Sequence, residues 1–250
     1  MKIKNILVSQ PEPTDAEKSP YTKLAEKYSL TIEYLKFFRI EGLTSKEFRQ
    51  MNRIDLLNFD SVIFTSKQAV DHYFRIAKEL RIEIPEEMKY FCISESTAYY
   101  LQKYVQFRKR KIFHGQITFA DLLELIKKHK DDKFLLPCSE IHKPDIPDQL
   151  EKNKINFQKG IFYRTLPADL SGLDINKYDM LVFFSPTGVK SLFENFPDYV
   201  QNGTQIAAFG ATTHQAVIDR GLTLNIEAPT KTSPSMTMAI EEFMKNNKKK

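Results

Sequence analysis

An internal repeat is the sequence feature that most constrains how this chain folds. The segment IFTSKQAVDHYF at Ile63–Phe74 recurs as VFFSPTGVKSLF at Val182–Phe193, with identical residues at four positions. Two more pairs of segments echo each other in the same order along the chain. These pairs are Tyr90–Leu101 with Ile206–Gly221, and Phe119–Ile126 with Met236–Phe243. Such repetition indicates two copies of one structural unit.

Short apolar runs alternate with amphipathic runs through both copies. Ile206–Phe209 leads into Gly210 and then into an amphipathic run that ends at Arg220–Gly221. This pattern predicts a buried strand, a tight turn and a helix capped by the hydroxyl of Thr212 or Thr213. Strands that alternate with helices favour parallel sheets covered on both faces. We therefore predict an α/β protein with two similar lobes, each a parallel β-sheet flanked by helices.

Other segments predict individual elements. The run Thr31–Phe38 is typical of one long strand, and Thr97–Tyr104 of a helix. Ser233 before Pro234 predicts a helix N-cap followed by proline at the first helical position.

Ligands of parallel sheets bind beyond the carboxyl ends of the strands. Hydroxyl and glycine residues follow several predicted strands here, at the starts of predicted helices. Helix starts attract anions, so these residues form a candidate site for carboxylates or phosphates. For Ser66 and Ser185, helix capping is favoured over a nucleophilic role because neither has a paired histidine. The candidate ligand-binding residues are Ser66, Thr97, Ser185, Thr187, Gly188, Gly210, Thr212 and Thr213.

Several classes of chemistry leave no trace in the sequence. It has no phosphate-loop motif, no GxGxxG and no GxSxG, and its histidines are scattered, so we expect no metal site. His214 follows the Gly210 turn, where an exposed helical histidine is favoured over a general base. The net charge of +5 comes without basic motifs interleaved with aromatic residues, so we expect no nucleic-acid partner.

Compartment is predicted from apolar runs and cysteines. No apolar run approaches the roughly 20 residues that span a bilayer, and the first residues do not resemble a signal peptide. Cys92 and Cys138 lie in apolar strands without CxxC spacing, which favours buried thiols. We expect a cytoplasmic protein with no membrane partner.

Five motifs carry a resemblance to a known family. They are IFTS at Ile63–Ser66, IFYRT at Ile161–Thr165, FFSPTG at Phe183–Gly188, AAFGATT at Ala207–Thr213, and EAPTKTSPSMTMAI at Glu227–Ile240. In their order and spacing the chain resembles the uroporphyrinogen-III synthase family over nearly its whole length.

The resemblance implies a bilobed, monomeric and cofactor-free enzyme. One lobe would comprise residues 1–37 plus 167–250, and the other would be the inserted residues 38–166. Two extended linker strands, near Phe37–Leu43 and Phe162–Pro167, would join the lobes around a substrate cleft. The implied reaction closes linear hydroxymethylbilane to uroporphyrinogen III, with loss of water and inversion of ring D through a spiro intermediate.

The same resemblance assigns roles to three residues. The Tyr163 phenol would hydrogen-bond the departing hydroxyl as the catalytic residue, with a purely structural inter-lobe tyrosine as the open alternative. Thr97 and Thr213 match threonine positions of the family and would bind substrate carboxylate, cap helices, or both. Where the family usually has glycine in the first-half turn, this chain has Ser94, followed by the negative Glu95. Substrate contact from that turn therefore stays open.

Two other classes of protein stay open from the residues alone. A two-lobed protein that binds or senses a small anion without catalysis would use the same strand ends. A response-regulator-like interaction domain would need acidic residues where Ser and Thr stand. Turnover of a linear tetrapyrrole distinguishes the enzyme from both.

Overall fold

The structure is a computed structural model, and it divides the chain into two compact units. Unit 1 comprises Met1–Arg39 with Leu166–Lys250, and unit 2 comprises Ile40–Thr165. The sequence predicts domain boundaries after residues 37 and 166, and these domain boundaries stay a prediction. The residues described are 3–15, 17–106, 108–116, 118–142 and 144–247.

Strands and helices alternate along the described chain. The strands are β1 (Asn5–Val8), β2 (Thr31–Tyr34), β3 (Phe38–Gly42), β4 (Ser61–Phe64), β5 (Lys89–Cys92), β6 (Ile112–His114), β7 (Phe134–Ser139), β8 (Phe157–Pro167), β9 (Met180–Phe183), β10 (Gln205–Phe209) and β11 (Ile226–Ala228). The helices are α1 (Pro20–Tyr28), α2 (Ser45–Asn52), α3 (Lys67–Glu79), α4 (Glu95–Leu101), α5 (Phe119–Lys127), α6 (Asp145–Lys152), α7 (Pro186–Asn195), α8 (Ala211–Asp219) and α9 (Met236–Asn247). None of the helices in the described part of the chain is long and apolar enough to cross a membrane.

Unit 1 contains a five-stranded sheet in the order β2-β1-β9-β10-β11. Every neighbouring pair in it is parallel. The chain adds β2 on one side of β1 and then adds β9, β10 and β11 in turn on the other side. This is the doubly wound arrangement, and the direction of winding reverses between β1 and β9. Ligands of such sheets bind at this reversal, beyond the carboxyl ends of the two strands.

The second sheet has six strands in the order β3-β8-β7-β4-β5-β6, and it lies in unit 2 apart from the first two residues of β3 and the last two of β8. From β8 to β6 all the pairs are parallel. The Leu43 N–H donates to the Phe162 carbonyl and the Ala168 N–H to the Phe37 carbonyl, so β3 runs antiparallel to β8. The strands β8-β7-β4-β5-β6 repeat the spatial order of unit 1 with a permuted chain order. This arrangement accounts for the sequence repeat and confirms the predicted fold class of two parallel sheets flanked by helices.

Apolar side chains pack on both faces of each sheet. In β1, Ile6 and Val8 join one core cluster while Leu7 joins another. In β4, Val62 and Phe64 likewise lie in one cluster and Ile63 in another. Successive strand residues point to opposite faces, so a strand covered on both sides reads as a continuous apolar run.

Two predicted elements are wrong in detail. Thr31–Phe38 is not one strand, because the chain leaves β1 after Leu35 and buries Phe37 edge-to-face against Phe183, with ring centroids 5.8 Å apart. Ser233 does not cap the last helix, which begins at Met236. Instead its N–H donates to the Thr230 hydroxyl, which closes a tight turn before the helix, and its own hydroxyl donates to Glu242 within the helix.

Candidate functional site

Four strand-to-helix turns lie at matching positions in the two sheets. In unit 2, Phe64 pairs with Cys92, which places Ser66 and Ser94 side by side two residues beyond. In unit 1, Phe183 pairs with Ala208, which does the same for Ser185 and Gly210. Each unit therefore presents two neighbouring helix starts at the carboxyl ends of its strands.

Serine hydroxyls cap the first helix of each pair. Ser66 Oγ accepts a hydrogen bond from the Ala69 N–H at 3.1 Å, and Ser185 Oγ accepts one from the Gly188 N–H at 3.2 Å. The capping roles preferred from the sequence are confirmed. Thr187 follows on the first turn of α7, where it is half-buried.

The second turn of unit 2 is capped by Ser94, whose Oγ accepts from the Thr97 N–H at 3.4 Å. Helix α4 therefore begins at Glu95, and the predicted start at Thr97 is wrong. The Thr97 side chain is 4% exposed, and its Oγ1 lies 3.2 Å from Ser94 Oγ. The Ser94 φ of −147° is extended backbone, so this turn does not require glycine.

The second strand-to-helix turn of unit 1 starts its helix through the backbone of Gly210, without a side-chain cap. Gly210 has φ +85° and precedes α8 directly, and no side chain caps this helix. The predicted cap by Thr212 or Thr213 is wrong because the helix has already begun at Ala211. Thr213 is 2% exposed and its N–H donates to the Gly210 carbonyl, whereas Thr212 is exposed. Helix α8 consequently offers its first turn without a side chain across it.

Tyr163 lies on β8 in unit 2 and meets the helix start of α3. Its phenol oxygen is 3.5 Å from Ser66 Oγ, and the residue is 8% exposed. Burial raises the pKa of the Tyr163 phenol, an effect that the Ser66 hydrogen bond partly offsets. The phenol therefore carries its proton at neutral pH and is available as a hydrogen-bond donor.

Sequence reasoning missed two buried serines, one in each sheet. Each lies where the direction of winding of its sheet reverses. Ser9 follows β1 directly and is 5% exposed, and a Cβ at Gly188 would lie 3.5 Å from its Oγ. Ser139 ends β7, is 8% exposed, and among the described residues its Oγ has no hydrogen-bond partner. The signal that points to both is a serine that ends an apolar run, in ILVS and in LPCS.

His214 has a structural role that the sequence does not reveal. Its Nε2 lies 2.9 Å from the Ala208 carbonyl and 3.0 Å from the Ala228 carbonyl. The ring is half-buried, not exposed as predicted, and it ties together the carboxyl ends of β10 and β11. These contacts leave it poorly placed as a general base.

No group of metal-ligating side chains occurs among the residues that the structure describes. A cavity of about 880 Å³ lies in unit 2, with Phe74, Met88, Tyr90 and Ile112 in its lining. It contains none of the candidate residues named above, so volume alone does not identify the site.

Two doubly wound sheets with hydroxyls and helix starts at their carboxyl ends define an α/β protein suited to an anionic ligand. Residues 22–238 match the family described as "Uroporphyrinogen-III synthase HemD". The chain belongs to the uroporphyrinogen-III synthase family, as its motifs predict. Membership makes it an enzyme, a cyclising lyase of haem biosynthesis that acts on a small molecule.

Individual relatives agree with this assignment. A uroporphyrinogen-III synthase of Chlorobaculum parvum is 25% identical over 259 residues, which cover 97% of this chain and all of the relative. The crystal structure of uroporphyrinogen-III synthetase from Helicobacter pylori matches with a TM-score of 0.56 and 16% identity, over 98% of this chain and 100% of that one. A mutant synthase of Thermus thermophilus matches with a TM-score of 0.50 and 17% identity, over 99% of this chain and 100% of that one. These two structures support the fold.

Proposed function

We propose that this protein converts linear hydroxymethylbilane into uroporphyrinogen III and water, and that Tyr163 is its catalytic residue. The observation that carries the role of Tyr163 is the protonated phenol, which lies 3.5 Å from Ser66 Oγ at the start of α3. A buried donor beside a helix start suits a departing oxygen, because a hydrogen bond strengthens as negative charge develops on its acceptor.

The reaction balances with water as the only by-product. The electron pair of the pyrrole that carries the hydroxymethyl group expels the hydroxyl. The C–O bond breaks, the hydroxyl takes up a proton and leaves as water, and an azafulvenium cation remains. Tyr163 donates a hydrogen bond to that oxygen as it leaves. The substituted carbon of ring D attacks the azafulvenium cation to form a spiro intermediate. This opens and recloses with ring D inverted, and a carbon-bound proton is lost.

The helix starts named above are proposed to supply contacts for the substrate carboxylates. Helix N-termini stabilise anions through free N–H groups and the helix dipole. The side chains of Ser66, Thr187, Ser185 and Thr212 are at least partly accessible for such contacts. Thr97 and Thr213 are buried, so they contribute through their helix backbone and through packing. Gly210 lets the substrate approach the backbone closely, because a Cβ there would meet nothing within 4 Å, whereas Gly188 is buried and contributes through packing.

We propose further that the enzyme works as a cytoplasmic monomer without a cofactor or a nucleic-acid partner. Cys92 and Cys138 are both free and buried, which suits a reducing compartment. Catalysis here consists mostly of holding a folded substrate in place while ring D inverts. That both units contact one substrate molecule stays a prediction.

A coupled assay tests the proposed function. Hydroxymethylbilane is generated in place, the protein is added, and the oxidised porphyrins are separated by isomer. A large excess of isomer III over the spontaneously formed isomer I is the expected result. Isomer I alone, from protein with a cooperative melting transition, would contradict the enzyme assignment and favour a protein that binds an anion without turnover.

A further inference from the structure

We propose that His72 is a positioning residue, which holds the ring of Tyr163 in its catalytic orientation by stacking against it. This inference rests on the proposed function, because it concerns how Tyr163 acts. It assigns a role to a residue outside the five motifs that define the family resemblance.

The two rings lie face to face within unit 2. The centroids of His72 and Tyr163 are 5.1 Å apart, and the ring planes differ by 25°. Tyr163 comes from β8 and His72 from the first turns of α3, the helix that Ser66 caps. Ser66 therefore fixes the position of the phenol oxygen while His72 covers the face of the same ring. Together they restrict the direction in which the phenol hydrogen points.

Arg75 holds His72 in this orientation. The Arg75 Nε donates a hydrogen bond to His72 Nδ1 at 3.3 Å, so Nδ1 is the unprotonated nitrogen of a neutral imidazole. The guanidinium is itself fixed, because its Nη2 donates to the Leu43 carbonyl at 2.6 Å and its Nη1 pairs with Glu79. Burial and the Arg75 charge both lower the pKa of His72, which the nearby Asp71 carboxylate partly offsets. A neutral ring is the form that this geometry requires.

Gly42 leaves the space that the two side chains occupy. A Cβ built at Gly42 would lie 2.5 Å from Arg75 Nη2 and 2.6 Å from His72 Nδ1. Any larger residue at this point of β3 would displace both groups. A glycine in an edge strand often marks such a close approach. The small size of Gly42 leaves room for the fixed guanidinium of Arg75 and the neutral imidazole of His72. Together these groups support the ring of Tyr163.

The test compares variants that keep or remove the stacked ring. His72→Ala removes it, and we expect kcat for isomer III to fall about 10- to 100-fold with KM within about twofold, since small misplacements of a reacting group cost rate in this range. His72→Phe keeps a planar neutral ring but loses the Arg75 hydrogen bond, and we expect kcat to lie between those of His72→Ala and the original protein. This rescue by ring shape separates positioning from a general loss of packing.

Two matched controls accompany these variants. His129 packs its ring against Phe91 and Phe113 in the same unit, so His129→Ala should lower Tm without changing kcat. Gly42→Ala should lower kcat by shifting His72 without deleting it, which keeps the test decisive if His72→Ala fails to fold. Gly172→Ala is its control, because a Cβ there meets nothing within 4 Å.

The outcomes that overturn the proposal differ from those that overturn the function. Original kcat in both His72→Ala and Gly42→Ala, or a His72→Phe variant as slow as His72→Ala, removes His72 from the mechanism. An unchanged kcat in Tyr163→Phe removes Tyr163, and the His72 proposal with it, while the enzyme assignment stands. Absence of isomer III from the unmodified protein overturns the proposed function itself.

Discussion

The hydroxyl of Ser66 lies 3.5 Å from the phenol oxygen of Tyr163 and also caps helix α3 through the Ala69 N–H. One oxygen therefore links the start of a helix to the side chain that we propose as catalytic. Ser185 caps α7 in the same way, but among the described residues it has no tyrosine partner. The two serines consequently form a natural pair for mutation.

Ser66→Ala and Ser185→Ala should each destabilise the protein by about 1 kcal/mol, the usual cost of losing an N-cap. Ser185→Ala also removes a proposed substrate contact and should raise KM, whereas only Ser66→Ala should lower kcat, because only there does Tyr163 lose its hydrogen-bond partner. Urea denaturation and the isomer III assay measure the two effects separately. Equal kcat losses in both variants would contradict a specific link between Ser66 and Tyr163.

Tyr163→Phe removes the phenol oxygen and keeps the ring. We expect kcat to fall about 10²- to 10⁴-fold, the range typical of a proton donor, while the melting temperature changes little. Single-turnover measurements with the enzyme in saturating excess over the substrate give the rate of the chemical step. A variant with normal turnover would assign Tyr163 a structural role only.

Glu47 should make stability depend on acid pH. The Thr44 N–H and hydroxyl, and then Arg164, hold the pKa of the Glu47 carboxyl down to about 2 in the folded protein. A lowered pKa contributes stability that is present above the ordinary value of 4.5 and is lost as pH falls towards 2. Glu47→Gln should therefore be less stable than the original protein at pH 7, and the difference should shrink as pH falls.

Urea denaturation from pH 7 to pH 2 checks this dependence. Glu124→Gln is the control, because Glu124 forms an exposed ion pair with Lys127. Exposed pairs of this kind contribute little to stability. A constant difference between Glu47→Gln and the original protein at all pH values would refute the role assigned to the Glu47 carboxylate.

Gly210→Ala should destabilise the start of α8 by strain alone. The residue has φ +85°, a conformation that L side chains rarely adopt, while a Cβ there would meet nothing within 4 Å. Such strain costs about 1–3 kcal/mol. Denaturation midpoints of this variant and of the unstrained Gly172→Ala give the comparison. Equal midpoints would mean that the turn does not depend on the left-handed backbone.

Much of the architecture could be predicted because the repeat and the strand–helix alternation are local patterns. The serine caps at Ser66 and Ser185 were also predictable, since a hydroxyl at the start of an amphipathic run has few other roles. The start of α8 was not predicted correctly, because the Gly210 backbone begins the helix and leaves nothing for Thr212 or Thr213 to cap. Residue types alone do not distinguish these two ways of starting a helix.

The contact between Ser66 and Tyr163 lay beyond sequence reasoning for a topological reason. Strand β7 lies between β4 and β8, so the meeting of the two side chains depends on the spatial order of three strands. His72 was missed for the same reason, because its ring partner comes from the distant β8. Pattern analysis finds the elements, but residues that meet across a sheet require its strand order.

The permuted strand order also has a consequence for synthesis on the ribosome. All the strands of the six-stranded sheet are complete once β8 has emerged, so that sheet can form while the rest of the chain is still being translated. Strand β1 must wait for β9, its parallel partner from the far end of the chain. Until then β1 has one bare apolar edge, open to pairing with other nascent chains. Strand β1 is thus made long before it is paired on both sides, and it is exposed to misassembly and to chaperone binding throughout that interval.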